Sequence, residues 1–351
     1  MHSPGLSTTS AGLLSPTVLG TPPALMDRVS GERAGAGALA ALREDPATRY
    51  LLLAQRSTPV LSGEDTQRLI FLSPAEVESL GPVRVLQEIH LGRVLPPHDD
   101  DADPAPAPGD GPLPAGTAVV ALVLSEPLAA DSPALPAGTV WRGYRESGAW
   151  LSDLESELFI EAQAIAAWHE GHGFCPRCGT PTEIEQSGWV RRCPRENVEI
   201  FPRMDPAIIV SVVGPDGRIL LGGGGPADGK GHSVLAGFVD PGESLEQAVV
   251  RELGEEVAVE VDAVQYLGSQ SWPFPASLML GFTARTRNSD ARPDGVEVTH
   301  ARWFTREELQ EAVLAGTVII PSRLSIARNL IEHWYGGEVL EPPAPPVSVR
   351  T

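Results

Sequence analysis

The chain has 351 residues, of which 42% are hydrophobic, so it is long enough for two or three domains with separate cores. Its formal net charge of −20 disfavours non-specific binding to phosphate backbones. No apolar run approaches the ~20 residues of a membrane helix, and residues 1–19 do not resemble a signal peptide, so we expect a cytoplasmic protein.

The first 150 residues divide into three kinds of segment. Residues 1–25 are rich in Ser, Thr, Gly and Pro, which predicts a disordered N-terminus. Residues 26–150 contain short apolar runs separated by turns, which predicts a mostly β N-terminal domain. A flexible acidic and Pro-rich insertion is expected near residues 98–114. The apolar runs are 50–53, 69–72, 83–89 and 118–124.

Residues 151–203 are predicted to form a helix followed by a cysteine-bearing module. Ser152 and Glu155 make a capping box for a helix over 152–169. All three cysteines follow within a short cluster, and an odd number there favours a metal site over a disulfide framework. Cys175-Pro-Arg-Cys178-Gly179 has the spacing of a zinc knuckle, with two thiolates on one turn.

Residues 204–335 alternate between strand-like and helical segments, which predicts an α/β domain. The tail over 336–351 is Pro-rich and is expected to be loose. The predicted strands are 207–213, 218–221, 234–238, 264–269, 277–286 and 300–304, and the predicted helices are 243–257, 306–315 and 323–335.

Three glutamates fall on one face of the helix predicted over 243–257. Glu252 and Glu256 are four residues apart, and Glu255 is three residues from Glu252. Taken alone, this pattern is better explained as a solvated acidic face. Like charges this close repel each other, however, and a hard divalent cation such as Mg²⁺ or Mn²⁺ would remove that penalty.

The complete spacing is more specific than the glutamates alone. The segment consists of Gly237, five residues, Glu243, seven residues, Arg251-Glu252, an apolar residue, any residue and Glu255-Glu256. This spacing resembles the Nudix box of the Nudix hydrolases. The resemblance implies a Nudix α/β/α sandwich with a mixed sheet, preceded here by the zinc-ribbon-like module and the smaller mostly β domain. It also implies metal-dependent hydrolysis of a nucleoside diphosphate bond.

The same resemblance assigns roles within the box. It implies that Glu252, Glu255 and Glu256 hold Mg²⁺ or Mn²⁺, and that Glu256 helps to deprotonate the attacking water. Arg251 would orient these glutamates by ion pairing, and Glu243 would support the preceding loop. The family usually has Gly where this chain has Ala258, a small change near the helix end from which we expect tighter packing.

A second motif bears on the substrate. Residues 269–277, Ser-Gln-Ser-Trp-Pro-Phe-Pro-Ala-Ser, resemble the SQPWPFPxS motif of the NADH pyrophosphatase subfamily, with Ser271 in place of Pro. Without that context, a core-capping aromatic turn is the simpler interpretation. The residue types themselves indicate that Gln270 and Ser277 could supply hydrogen bonds and that Trp272 and Phe274 could pack against a ring.

The subfamily resemblance further implies hydrolysis of NADH or NAD to nicotinamide mononucleotide and AMP. Some members also remove NAD caps from RNA, although the acidic charge of this chain argues mildly against RNA as the main substrate.

Shorter matches extend the resemblance over residues 160–335. Glu297 falls where the family has a further metal-binding glutamate, although a lone surface glutamate is the default interpretation. Ser325-Ile326-Ala327 matches a segment near the nicotinamide pocket. Phe201 and Phe238 occupy positions where family aromatics stack on the base across a dimer interface, which implies a homodimer.

The zinc site has two open interpretations. The subfamily's zinc ribbon would have a fourth Cys where this chain has Glu196, three residues after Cys193. Zinc accepts carboxylate, so Cys175, Cys178, Cys193 and Glu196 could bind it, with His172 as a second candidate for the last position. Alternatively, the ribbon folds without metal.

Two rival functions are also open. The first is another Nudix specificity, such as ADP-ribose or a nucleotide sugar, against which the aromatic motif argues. The second is a non-catalytic nucleotide-binding regulator. The three crowded carboxylates at Glu252, Glu255 and Glu256 argue against this, because a pure binder has no use for them.

Overall fold

The computed structural model describes residues 24–63, 66–96, 113–129, 132–224 and 229–342. These residues form two compact units. The first contains the described residues up to Met204 together with Trp272–Ala276, and the second contains Asp205–Ser271 and the described residues from Ser277 onward. The predicted disordered N-terminus up to residue 23 and most of the predicted insertion, residues 97–112, lie outside the described residues. None of the described helices is long and apolar enough to cross a membrane.

The first unit is built mainly on a mixed sheet. Within the described residues, eight strands form it in the order β1-β6-β7-β2-β3-β4, with β5 beside β2 and β8 beside β3. These strands are β1 Met26–Asp27, β2 Arg49–Ala54, β3 Ser57–Ser62, β4 Gln67–Leu69, β5 Phe71–Leu72, β6 Val85–Val94, β7 Ala118–Leu124 and β8 Thr139–Gly143. The helices are α1 Ser30–Arg33, α2 Ala38–Glu44, α3 Pro74–Glu78, α4 Tyr144–Ser147 and α5 Asp153–Gly171.

The centre of this sheet explains why the N-terminal region is mostly β. Every residue of β7 is buried, and β7 pairs in parallel with β2. A strand covered on both faces carries a continuous apolar run, as the sequences of β7 and β2 do. The prediction of a mostly β region before the cysteine module is therefore confirmed.

Helix α5 begins as its capping box predicts. The Ser152 hydroxyl accepts a hydrogen bond from the Glu155 backbone, and the Glu155 carboxylate accepts one from the Ser152 backbone. Besides its apolar residues, this helix buries the polar side chains of Glu161, Gln163 and His169, because it is covered on several sides.

The buried carboxyl group of Glu161 makes stability depend on pH. Burial is the main cause that raises its pKa from 4.5 to about 7, and Arg28 opposes the shift. Because the folded-state pKa lies above the unfolded value, the free energy of unfolding falls as pH rises from about 4.5 through 7.

The substitution Glu161→Gln replaces the carboxyl group with an uncharged amide of the same shape. We expect it to raise the free energy of unfolding at about pH 8 by ~1–3 kcal/mol and to flatten that pH dependence. Urea denaturation at acidic and alkaline pH measures the effect. The exposed Glu170→Gln on the same helix is the control, and a less stable Glu161→Gln at pH 8 would contradict the prediction.

A small antiparallel sheet follows α5, in the order β11-β10-β9. Its strands are β9 Glu183–Glu185, β10 Val190–Cys193 and β11 Val198–Ile200. The turn carrying Cys175 and Cys178 precedes it, and Cys193 ends its middle strand. This arrangement agrees with the predicted zinc-ribbon-like module.

The second unit contains one mixed sheet and three helices among its described residues. The sheet order is β15-β16-β12-β13-β17, and β14 pairs with β12. The strands are β12 Asp205–Val213, β13 Ile219–Gly223, β14 Leu235–Phe238, β15 Val261–Trp272, β16 Ser277–Thr286 and β17 His300–Phe304. The helices are α6 Leu245–Val257, α7 Arg306–Leu314 and α8 Ile326–Tyr335.

Alternation along β12 separates the two layers of helices. Ile208 and Val210 belong to a buried cluster with α6 residues, whereas Ile209 belongs to a cluster with residues of α7 and α8. Because successive strand side chains point to opposite faces, α6 covers one face of the sheet and α7 and α8 cover the other. The predicted α/β/α sandwich is confirmed.

Residues 337–342 were expected to be loose, and the structure corrects this. Val339 is fully buried, and its carbonyl oxygen accepts a hydrogen bond of 2.6 Å from the buried Arg328 guanidinium. Arg328 also pairs with Glu332 and Glu341 at 2.7 and 3.0 Å. The reason is that this buried cation needs acceptors, which the segment supplies. Residues 343–351 lie outside the described residues.

Candidate functional site

Helix α6 is anchored on one side and acidic on the other. Ser244 and Gln247 form its capping box. Its apolar face packs into the core, while Glu252 and Glu256, although charged, are also buried and Glu255 is exposed. The core-facing residues, all 0% exposed, are Ala248, Val249, Leu253 and Val257. The packing of this face determines where the carboxylates lie.

Gly237 allows β14 to approach the helix. A Cβ atom at this position would lie 1.9 Å from the Glu252 carboxyl carbon and 2.1 Å from one of its oxygens. With the Glu252 carboxylate in this position no side chain fits at residue 237, so glycine lets the strand run against the carboxylate without displacing it. This is a physical reason for glycine at the start of the motif.

Arg251 links the loop and the helix through its guanidinium group. It donates to the two Glu243 oxygens at 2.7 and 3.1 Å and to the Phe238 carbonyl at 2.9 Å. It also lies 3.0 Å from a carboxylate oxygen of Glu252 and 3.0 Å from one of Glu255. Glu243 in turn accepts a hydrogen bond from the Asp240 backbone at 2.8 Å. Arg251 therefore holds three glutamates in one arrangement.

Glu256 is the most electrostatically perturbed member of the group. Burial is the main cause that raises its pKa to about 7, and the charges of Glu252, Glu297 and Asp294 raise it further. Its Oε2 atom is buried and has no hydrogen-bond partner among the described residues. A buried carboxylate with one unpartnered oxygen and like charges nearby is an arrangement that a cation would stabilise.

Glu297 is exposed and lies on a loop that Asp294 organises. The Asp294 carboxylate accepts hydrogen bonds from the backbone of Val296, Glu297 and Val298 at 2.9 to 3.2 Å. These backbone donors hold the pKa of Asp294 below its usual range, so it keeps its negative charge. The sequence interpretation missed Asp294, although Asp294-Gly295 is a turn signal and only Val296 separates it from Glu297.

The carboxylates are close enough to affect each other's pKa, but their oxygen atoms do not converge as metal ligands would. Among the described residues, only the three cysteines place three ligand atoms within 4.8 Å of one another. The donor chemistry nevertheless fits a hard divalent cation, because the group offers carboxylate oxygens and one of them, Glu256 Oε2, is unpartnered.

The effect expected of Ala258 was wrong. The residue is exposed, so it does not tighten packing. It ends α6 in the left-handed conformation, with φ 55° and ψ 36°, and its backbone N–H bonds to the Gly254 carbonyl while Val259 bonds to Leu253. Glycine is favoured at this position because a Cβ atom is strained there.

Ala258→Gly should therefore stabilise the protein. Glycine relieves the strain of the left-handed conformation, but it also gives the unfolded chain more conformational freedom. The net effect is expected to raise the free energy of unfolding by about 0.5–1 kcal/mol. Urea denaturation tests this. Ala315→Gly at the right-handed end of α7 (φ −76°) is the control and should destabilise instead. If both substitutions lowered the free energy of unfolding, the backbone strain inferred at Ala258 would be refuted.

The second motif contains two aromatic rings and a buried amide. Trp272 and Phe274 are half-buried, with ring centroids 5.0 Å apart. Gln270 was expected to hydrogen-bond the substrate. In the structure its amide nitrogen donates to the Leu324 carbonyl at 2.7 Å, and its oxygen accepts from the Ile326 backbone at 2.8 Å. Gln270 is thus engaged in bracing the start of α8.

The remaining predicted binding residues differ in exposure. Ser277 and Ala327 are buried, and the Ala327 backbone donates to the Ser325 hydroxyl at 3.2 Å. Phe201 and Phe238 are 59% and 58% exposed, which leaves both rings accessible.

The cysteines converge without a fourth ligand. The sulfur atoms of Cys175, Cys178 and Cys193 lie within 4.8 Å of one another. Glu196 donates its backbone N–H to the Cys193 sulfur at 3.3 Å, but its carboxylate is not part of the cluster. His172 is also outside it, and its Nδ1 lies 2.8 Å from the Trp168 carbonyl. Three thiols and a backbone donor suit a structural zinc ion.

Comparison with known proteins agrees with these features. Residues 171–201 match the NADH pyrophosphatase zinc ribbon domain, and residues 202–321 match the NUDIX domain. The NAD-capped RNA hydrolase NudC of Mycobacterium tuberculosis is 39% identical over 216 residues, which cover 59% of this chain and 68% of that protein.

The NAD-capped RNA hydrolase NUDT12 of Homo sapiens is 38% identical over 196 residues, or 52% of this chain. The chain spans 42% of the length of that relative. The solved structure of a Nudix hydrolase from Nitrosomonas europaea aligns with 48% of this chain and 96% of its own, at 21% identity and a TM-score of 0.37.

Proposed function

The chain belongs to the Nudix hydrolase family, in its NADH pyrophosphatase branch, and we propose on that premise that it hydrolyses the diphosphate bond of NADH and NAD. The products would be nicotinamide mononucleotide and AMP. The observation that carries this proposal is the buried Glu256 carboxylate, with its pKa raised to about 7, among the charges of Glu252, Glu297 and Asp294.

We assign the metal ligands to Glu252, Glu255, Glu256 and Glu297, with Mg²⁺ or Mn²⁺ as the cation. When bound, the cation supplies charge neutralisation at the diphosphate and makes water easier to deprotonate. We assign to Glu256 the acceptance of the proton from the attacking water, because its buried Oε2 atom has no hydrogen-bond partner among the described residues. Arg251 keeps Glu252 and Glu255 oriented while this happens.

Specificity for a nicotinamide dinucleotide is assigned to the aromatic residues and the residues around Gln270. Trp272 and Phe274 offer half-buried ring faces, and the exposed rings of Phe201 and Phe238 are available to stack on a base. We propose that the protein acts in the cytoplasm as a homodimer, because the family resemblance places this stacking across a dimer interface.

NAD at the 5′ end of RNA is a second candidate substrate. It is favoured by the two relatives that are named NAD-capped RNA hydrolases. The net charge of −20 weighs against a large electrostatic contribution from the RNA backbone. We therefore propose the free dinucleotide as the main substrate.

Incubation with NADH and Mg²⁺, followed by chromatography, tests the proposal. We expect AMP and reduced nicotinamide mononucleotide in equal amounts. Absence of AMP would overturn the proposed activity and would favour the non-catalytic regulator. Faster hydrolysis of ADP-ribose or a nucleotide sugar than of NADH would instead support the rival Nudix specificity.

We further propose a structural zinc ion bound by Cys175, Cys178 and Cys193. Glu196 would be the fourth ligand only after its carboxylate, which lies outside the cluster, turns toward the sulfur atoms. Cys178→Ser is expected to lower the zinc content well below one per chain and to reduce the unfolding temperature, because folding of such modules is coupled to metal binding. Elemental analysis and thermal unfolding measure this. A zinc-free native protein with normal stability would contradict the site.

A further inference from the structure

The Trp272–Ala276 loop packs within the first unit, and two side chains of that unit contact it. Gln163, on α5, donates a hydrogen bond of 3.2 Å from its amide nitrogen to the Pro273 carbonyl. Arg145, on α4, lies with its guanidinium carbon 4.4 Å from the ring centroid of Phe274 and 5.6 Å from that of Trp272. One contact holds the backbone of the loop, and the other holds its rings.

The contact from Gln163 is buried, which makes it costly to lose. Gln163 is 1% exposed and Pro273 is also buried. The prolines at 273 and 275 have no backbone N–H, so few internal hydrogen bonds can fix the loop. Without the Gln163 donor, the Pro273 carbonyl would be buried and unpaired, and the loop would have to move to reach water.

The helix that carries Arg145 is anchored, whereas the guanidinium group of Arg145 is exposed. The neighbouring Tyr144 is fully buried and packs edge-to-face on Phe159 of α5, with ring centroids 5.5 Å apart, which anchors α4. None of the described residues forms an ion pair with Arg145, whereas the nearby Arg142 lies 3.9 Å from Glu146. An exposed guanidinium over two rings stabilises their orientation through the ring quadrupole.

We propose that Gln163 and Arg145 are positioning residues that hold the Trp272–Ala276 loop in the shape that selects a nicotinamide dinucleotide. This rests on the proposed function. Neither residue acts on the reacting phosphorus, so their removal should weaken substrate binding rather than the chemical step.

Gln163→Leu and Arg145→Ala test the proposal in the full-length protein with Mg²⁺ and NADH. For Gln163→Leu we expect KM to rise about tenfold, the effect of losing one buried hydrogen bond. For Arg145→Ala we expect a rise of about two- to fivefold, the effect of losing an exposed cation–π contact, and in both variants kcat should change less than about twofold. Arg145→Lys should resemble Arg145→Ala, because an ammonium keeps the charge but not the flat face. Glu170→Gln on α5 and Arg142→Ala beside α4 are the matched controls and should leave KM unchanged.

A second measurement does not depend on activity. Hydrogen–deuterium exchange of peptides covering residues 269–280 should become faster in Gln163→Leu and Arg145→Ala and stay unchanged in the two controls. The positioning role would be overturned if kcat fell by the factor expected for KM while KM stayed unchanged. Unchanged hydrogen–deuterium exchange in the loop would overturn it as well. A wild-type protein that leaves NADH intact would overturn the proposed function, and the claim on specificity with it.

Discussion

Glu256→Gln is expected to lower kcat for NADH hydrolysis by about 10²–10⁴-fold, the range for loss of a general base. The substitution keeps the shape of the side chain but removes both its charge and its ability to accept the proton from water. Steady-state kinetics at saturating Mg²⁺ measure the loss. Glu246→Gln, on the exposed first turn of the same helix, is the matched control and should retain activity.

The raised pKa of Glu256 adds a pH dependence to this experiment. In the metal-free protein the folded state binds the proton more tightly than the unfolded chain, so this group's contribution to stability is lost as pH rises from 4.5 through about 7. A cation must displace the same proton. The apparent affinity for Mg²⁺ should therefore rise with pH through about 7 in the wild type and lose that dependence in Glu256→Gln.

Calorimetric titration with Mg²⁺ at several pH values measures the affinity. Unchanged turnover in Glu256→Gln would remove Glu256 from the mechanism. A wild-type affinity that does not vary with pH would show instead that the carboxyl group is already ionised near neutrality.

Gly237→Ala should also reduce activity strongly, although no charge is altered. The added Cβ would lie 1.9 Å from the Glu252 carboxyl carbon, so the carboxylate or the strand must move by an ångström or more. Misplacement on this scale costs on the order of 10²-fold in rate. We therefore expect kcat to fall by about that factor and Mg²⁺ binding to weaken.

Gly254→Ala is the matched control for this substitution. Gly254 lies on α6, and a Cβ atom there would meet nothing within 4 Å, so activity should be retained and stability should rise slightly. Full activity in Gly237→Ala would mean that the close approach of Gly237 and Glu252 is not required for hydrolysis.

Features that depend on local spacing were readable from the sequence. Helix α6 was predicted over 243–257 and begins at Leu245, and the strand predicted over 277–286 has those bounds in the structure. The capping box at Ser152 was also predicted correctly. Periodicity and capping depend on residues three or four positions apart, so a single sequence contains them. The Nudix spacing is local in the same way, and the family matches confirm the resemblance.

Features that depend on tertiary contacts or on backbone conformation could not be read from the sequence. The sequence did not show that Gln270 hydrogen-bonds to Leu324, 54 positions away. Asp294 was overlooked because only packing brings its charge close enough to raise the pKa of Glu256. The strain at Ala258 depends on a backbone conformation that composition does not reveal.

The sequence by itself determined the spacing of the candidate carboxylates and the elements they occupy, because those signals are periodic and local. Only the tertiary structure decided how strongly they are perturbed. Burial raises the pKa of Glu256, the close approach of Gly237 restricts the position of the Glu252 carboxylate, and Gln163 hydrogen-bonds to the 272–276 loop. Desolvation and steric exclusion arise only where such segments meet.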